Sequence, residues 1–146
     1  FFVLLIIVLC LCVSLVMYRL RKIVRQQGDA SQSAQDISQK LYDIMFADMD
    51  LTLREMCVGD LCVAKRVKIM SEAFAGRLAA YSSAFDELDA STLATAFARN
   101  IGRREQAGDA ELKLASLILG TITKLENCED DLFLSGTLDL RDIAIS

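Results

Sequence analysis

No proline interrupts the 146 residues of this chain, and that absence bounds the fold before any motif is read. Proline ends helices because its ring fixes φ and removes the backbone N–H. A chain without it, in which 53% of residues are apolar, is free to build long helices. Its apolar spacing says that it does. Val63, Val67, Met70, Phe74, Leu78, Tyr81 and Phe85 step by three or four residues and form one continuous stripe. Ala73, Gly76 and Ala80 lie beside that stripe, small enough to let a neighbouring helix approach closely. Ile37, Leu41, Ile44, Met45, Leu53 and Met56 trace an earlier helix, and Leu93, Phe97 and Ile101 a later, shorter one. Leu112, Leu114, Leu117, Ile118, Ile122 and Leu125 make the apolar set of a further helix.

Polar residues mark where these helices should begin and end. Asp29, Ser31 or Ser33 can cap the helix that follows the small, polar stretch 28–35, while Ser91 and Asp109 can cap the two later ones. Gly59 can supply a left-handed residue that closes one helix, and Asp60 can cap the next. Asp36 with Lys40, and Asp50 with Arg54, stand at the i,i+4 spacing of helical ion pairs. After Cys128 a Ser-Gly-Thr turn separates two short apolar runs, which fits either a small hairpin or an irregular docked segment. The expected fold is all-α: a compact bundle of four to five helices over residues 37–146, a linker at 28–36, and a very apolar helix with a basic flank at 1–27.

That first helix is ambiguous on physical grounds. The stretch FFVLLIIVLCLCVSLVMY has one polar member, Ser14. As a helix it would be about 27 Å long, just short of a hydrocarbon core of about 30 Å. Arg19, Arg21, Lys22 and Arg25 follow at once. A membrane anchor of this kind would keep its basic flank on the cytoplasmic or matrix side. A cleaved signal peptide fits badly, because its basic region should come first. A core helix buried on all sides would read the same way. The chain starts at Phe1 rather than at a methionine, which implies sequence upstream.

Composition removes most chemistry. The chain has no histidine, hence no usual general base, no commonest metal ligand and no switch near neutral pH. The glycines never cluster into a phosphate loop. Asp48 and Asp50, two residues apart on a helix, point away from each other and make a poor acid–base pair. An enzyme is not expected, nor a cofactor. The net charge is −4, and residues 105–146 hold nine acids against Lys113, Lys124 and Arg141. An acidic balance of this kind argues against DNA as a partner. Five cysteines, with Cys57 and Cys62 too far apart for a zinc knuckle, read as reduced thiols in a cytosol-like or matrix-like compartment.

The charges that remain informative lie between 46 and 81. Lys65, Arg66 and Lys68 stand in the early turns of their helix, the unfavourable end for the dipole. They are either a solvated face or a contact for an acidic partner or anionic headgroups. Arg77 flanks the apolar stripe, as a solvated neighbour or as a buried partner of Asp48, Asp50 or Glu55.

The same stretch carries a resemblance. Asp48-Met49-Asp50, Leu53-Arg54-Glu55, Val58-Gly59-Asp60-Leu61, Lys65-Arg66-Val67-Lys68, Ala73-Phe74 with Gly76-Arg77, Ala80-Tyr81 and Ala96-Phe97-Ala98-Arg99-Asn100 follow one another in order. This series resembles the ubiquinol–cytochrome c chaperones, assembly factors of respiratory complex III. Leu15-Val16-Met17-Tyr18-Arg19-Leu20-Arg21 is similar to the end of that family's preceding helix, although positions that are acidic or His there are apolar here. Cys57 stands where the family usually has Gly, and Ala75 where it usually has Tyr.

The resemblance implies a non-enzymatic chaperone that binds newly made cytochrome b together with a small co-chaperone, near the ribosome exit. It would act at the matrix or cytoplasmic face of the inner membrane, peripherally or anchored by residues 1–18. The residues it points to for partner binding are Asp48, Asp50, Arg54, Glu55, Gly59, Asp60, Lys65, Arg66, Lys68, Arg77 and Tyr81. A single-span accessory subunit of a respiratory complex is the alternative, and it requires residues 1–18 to face lipid.

Overall fold

The computed structural model describes residues 2–56 and 59–138, with side chains from Ile6 onward except those of residues 60 and 61. Among the described residues every regular element is helical. The order is α1 (Phe2–Arg25), α2 (Ser31–Glu55), α3 (Asp60–Glu87), α4 (Ala90–Phe97), a π-helical segment (Ala98–Gly102), α5 (Asp109–Glu126) and α6 (Asp130–Leu134). The all-α expectation holds, with α1 as the preceding apolar helix and five further α-helices after it. α1 packs mainly on α2, and α4 on α5, while α3 reaches α1, α2 and α4.

α1 is the central element. Cys10 and Val13 meet Met45, Met49 and Phe74 from α2 and α3. Tyr18 joins Tyr81, Phe85, Leu93, Phe97 and Ile122 from α3, α4 and α5. Leu20 and Ile23 close over Ala34, with Phe133 and Leu134 against them. Three separate clusters thus share one helix, which is why its sequence is apolar almost all round. Among the described residues no helix is long and apolar enough to cross a membrane. Of the two readings open for residues 1–18, a core helix and a membrane anchor, the burial of Cys10, Val13 and Ser14 fits the core helix.

The α3 stripe packs as its spacing requires: Val63, Phe74, Tyr81 and Phe85 are buried, and Val67, Met70 and Leu78 half-buried. The other two stripes hold in part, with Met45, Leu53, Ile118, Ile122 and Leu125 buried as expected. α2 buries Met45, Met49 and Leu53 but exposes Ile44, while α5 buries Ala115 and Leu119 and exposes Leu112 and Leu117. Ala73, Gly76 and Ala80 are all exposed, so among the described residues no helix uses the approach they permit.

Several caps also shift. Asp89, not Ser91, caps α4, its carboxylate accepting the Ser91 and Thr92 N–H groups at 2.8 and 3.1 Å. Gly108 precedes α5, and Glu111 reaches back to accept its N–H at 2.9 Å, while Asp109 is already helical. Gly59 is the residue before α3, with φ −59° rather than left-handed, and Asp60 is the first helical residue. Ala30 precedes α2 with no side-chain cap, so Ser31 and Ser33 are helical and the linker is shorter than expected. Asp36 accepts from Gln32 at 2.9 Å, whereas the expected Asp50–Arg54 pair forms at 2.6 Å. The segment after Cys128 is the short helix α6 followed by a turn at Gly136, with residues 139–146 outside the described part. The cysteines 10, 12, 62 and 128 are free thiols, and Cys57 lies outside the described residues.

Two polar clusters lock α1 to the far end of the bundle. The Arg19 side chain, 4% exposed, donates from Nε to the Leu125 carbonyl and from Nη2 to that of Cys128, both at 2.9 Å, and pairs with Asp130. It adds a charged donor at the end of α5, where the Leu125 carbonyl also accepts the Cys128 N–H at 3.3 Å. Arg19→Ala should lower the unfolding free energy by about 2–4 kcal/mol, since it removes two charge-assisted hydrogen bonds and the pairing with Asp130 at a buried position. Urea denaturation checks this, and a loss below about 0.5 kcal/mol would contradict it.

The second cluster gathers around Tyr18. Its hydroxyl lies 3.1 Å from carboxylate oxygens of both Asp86 and Glu126, and Lys22 Nζ stands 3.3 Å from each. Burial, with two carboxylates nearby, pushes the Tyr18 phenol from 10.0 up to about 12. Lys22 is raised by its bond to Tyr18, with the nearby carboxylates acting in the same direction against desolvation. Burial acts to raise Asp86, but hydrogen bonds from Tyr18 and Lys22 outweigh it and hold that carboxyl below its usual range. A phenol kept neutral in the fold contributes stability that is complete below its unfolded value and lost as pH climbs through its folded value. Stability should therefore decline from about pH 10 to about 12. Tyr18→Phe should flatten that decline in urea titrations, and an unchanged slope would place its origin elsewhere.

Candidate functional site

The bundle is open at the end where α1 begins, α2 ends and α3 starts. A groove of about 440 Å³ lies there. α1 contributes Ile6, Ile7 and Cys10, one turn of a single face. α2 contributes Met49 and Leu53, and Met56 follows directly after its end, spaced four and three residues apart. α3 contributes Arg66, Ile69, Met70, Ala73 and Arg77. Met49, Leu53 and Cys10 are buried and form the floor, whereas Met56 and Ile69 are more than half exposed on its edges. Three methionines in one groove give an apolar surface that can reshape around different side chains.

The α3 contribution follows from helix geometry. Each residue turns by about 100°, so Arg66, Met70, Ala73 and Arg77 fall within about 60° of one another. This row runs beside the core stripe of Val63, Phe74 and Tyr81. Arg66 is exposed at one end and Arg77 half-buried at the other, so the groove is apolar with a cation at each end of its α3 wall. Arg77 faces the Cys10 thiol: burial pushes that thiol up, and the guanidinium opposes the shift. Among the described residues Arg77 forms no ion pair, so neither sequence-based alternative of a buried carboxylate partner nor a fully solvated flank describes it.

The other residues singled out in the sequence scatter around this end. Asp48 is exposed, its carbonyl accepting from Thr52 Oγ1 at 2.8 Å. Asp50 and Arg54 pair with each other, and Glu55 is exposed near the end of α2. Gly59 and Asp60 start α3. Lys65, Arg66 and Lys68 are all exposed, but consecutive positions splay around the helix, so Arg66 lines the groove alone. Lys68 stands 4.0 Å from Glu72 on the helix surface. The three cations occupy the second and third turns of α3, beyond the reach of most of the dipole penalty expected for them. Tyr81 is 2% exposed and belongs to the core, its hydroxyl accepting from Asn100 at 3.3 Å.

Sequence reasoning missed Ile6, Ile7, Cys10, Met49, Ile69 and Ala73 as groove residues. The signal available was a second row of small and apolar positions next to the α3 stripe. Among the described residues no cluster of His, Cys, Asp or Glu could hold a metal ion.

A model of the ubiquinol-cytochrome C chaperone family matches residues 6–140. The chain belongs to that family. The match runs from the first groove residue through α6 and so covers the whole described bundle. The crystal structure of the Cbp3 homolog from Brucella abortus superposes with a TM-score of 0.73 at 29% identity, covering 91% of this chain and 71% of that one. No curated protein matches the chain.

The groove floor and edge should respond differently to truncation. Met49→Ala should cost about 3 kcal/mol because it opens a cavity. Ile69→Ala, more than half exposed, should change stability by less than about 0.5 kcal/mol. Thermal melts of the two variants test this, and a large loss at Ile69 would mean that the groove edge is part of the core.

Proposed function

We propose that the chain holds newly made cytochrome b during assembly of the ubiquinol–cytochrome c reductase complex, and that the groove between α1, α2 and α3 receives a client segment. The observation that carries this reading is an apolar, methionine-lined groove left uncovered in a member of a chaperone family. Unassembled membrane proteins present apolar helices joined by charged loops. A groove of adaptable apolar side chains with cations at its ends suits such clients. The solved Cbp3 homolog supports the same direction. A small co-chaperone and proximity to the ribosome exit belong to the same proposal.

The action is binding and release, without bond-making and without a cofactor. It would take place at the matrix or cytoplasmic face of the inner membrane, held there peripherally, since α1 is committed to the core. That commitment disfavours the alternative of a single-span accessory subunit, which requires residues 1–18 to face lipid.

Replacing Lys65, Arg66 and Lys68 together by Gln should leave helicity and melting nearly unchanged, because all three are exposed. Co-purification of cytochrome b with this variant should fall severalfold. Undiminished capture would remove this cationic edge from the client surface.

A further inference from the structure

Three features of α3 that the fold leaves unused lie on one side of the helix. The first is a track of small residues. Ala73, Gly76 and Ala80 recur at three and four residues, all exposed, and a Cβ built at Gly76 meets nothing within 4 Å. Small residues at this spacing lower the helix surface so that a second backbone can approach closely. Gly in a helix interior is also unfavourable relative to Ala, and no close contact among the described residues explains it here.

The second feature is the apolar groove that borders this track, with Ala73 common to both. The third is the alignment of its cations. Arg66 and Arg77 are eleven residues apart, so they lie within about 20° of each other around the helix and about 16 Å apart along it. Neither forms an ion pair among the described residues.

We infer that the groove takes an α-helix of the client lying alongside α3, apolar on its docking face and carrying a carboxylate at each end of about three turns. The inference rests on the proposed chaperone reading and adds the chemistry of the segment. The small track sets how closely that helix lies, the methionines fill between its side chains, and Arg66 and Arg77 fix its register. An apolar helix without the acids would dock in many registers. An acidic helix without an apolar face would not displace water from the floor.

The experiment uses synthetic helical peptides and fluorescence anisotropy with the whole chain. One peptide is a leucine- and alanine-rich helix with two glutamates about eleven residues apart, and its twin carries lysines there. The glutamate peptide should bind at least about tenfold more tightly, and Arg66→Glu with Arg77→Glu should reverse the preference. Gly76→Leu should weaken the glutamate peptide at least about tenfold while the melting temperature holds or rises, because Leu is the better helix former in open space.

Equal binding of the two peptides overturns the inference. So does undiminished binding by Gly76→Leu. A dimer of the chain that Gly76→Leu dissociates, with no peptide binding, assigns the face to a second copy and overturns it too. Capture of cytochrome b is scored separately. If the peptide preference holds and capture is absent, the helix groove stands and the proposed client falls. If capture persists but the peptides bind alike, the client stands and this description of its segment falls.

Discussion

The bundle depends on the burial of α1 from three directions at once. Cys10 and Val13, Tyr18, and Leu20 with Ile23 each anchor a different apolar cluster. No other helix touches all three. A helix in that position needs apolar residues nearly all round, and it therefore reads like a lipid-facing one. What separates the two cases is polar detail. Ser14 returns its hydroxyl to the Cys10 carbonyl at 2.7 Å, and Arg19 turns inward to cap α5. In lipid an inward Arg19 would have no such carbonyls to meet, and a buried guanidinium without partners is costly.

The groove is a consequence of the same arrangement. α1 is covered well along its C-terminal half, where Tyr18 and Arg19 tie it to α3, α5 and α6. Near its start the described elements flanking it are α2 and α3, and Ile6 and Ile7 stay half-buried at the groove above the buried Cys10. Rigidity and openness are thus divided along one helix. The polar clusters hold the far end, so the near end can leave apolar surface uncovered without loosening the bundle. For a binder this division is useful: a stable frame keeps the three walls of the groove at fixed spacing while the methionine side chains adapt.

Much of this was legible in the sequence where a single periodicity governs. The α3 stripe from Val63 to Phe85 is buried as its spacing demands. α2 was harder, because Ile44 and Met45 are adjacent and only one can face inward; the core took Met45, then Met49 and Leu53. Caps shifted by one or two residues because several capping residues stand close together. Asp89 displaced Ser91 because its carboxylate reaches two N–H groups at once. Lys65, Arg66 and Lys68 look like one patch in a linear string and are three directions on a cylinder. The groove itself was not legible, since it joins Ile6 to Met56 and Arg77, and no local rule relates positions so far apart.

The uncovered face of α3 also explains why its sequence looks locally inconsistent. Gly76 weakens a helix interior, Ile69 puts a large apolar side chain into solvent, and Arg66 and Arg77 form no ion pair among the described residues. Taken singly, each is tolerable in a stable bundle. Taken together they share one side of one helix, next to a floor of buried methionine and leucine. A chain that satisfies its local rules along Val63, Phe74 and Tyr81 and relaxes them one quarter-turn away has placed the exceptions where a second protein would compensate for them.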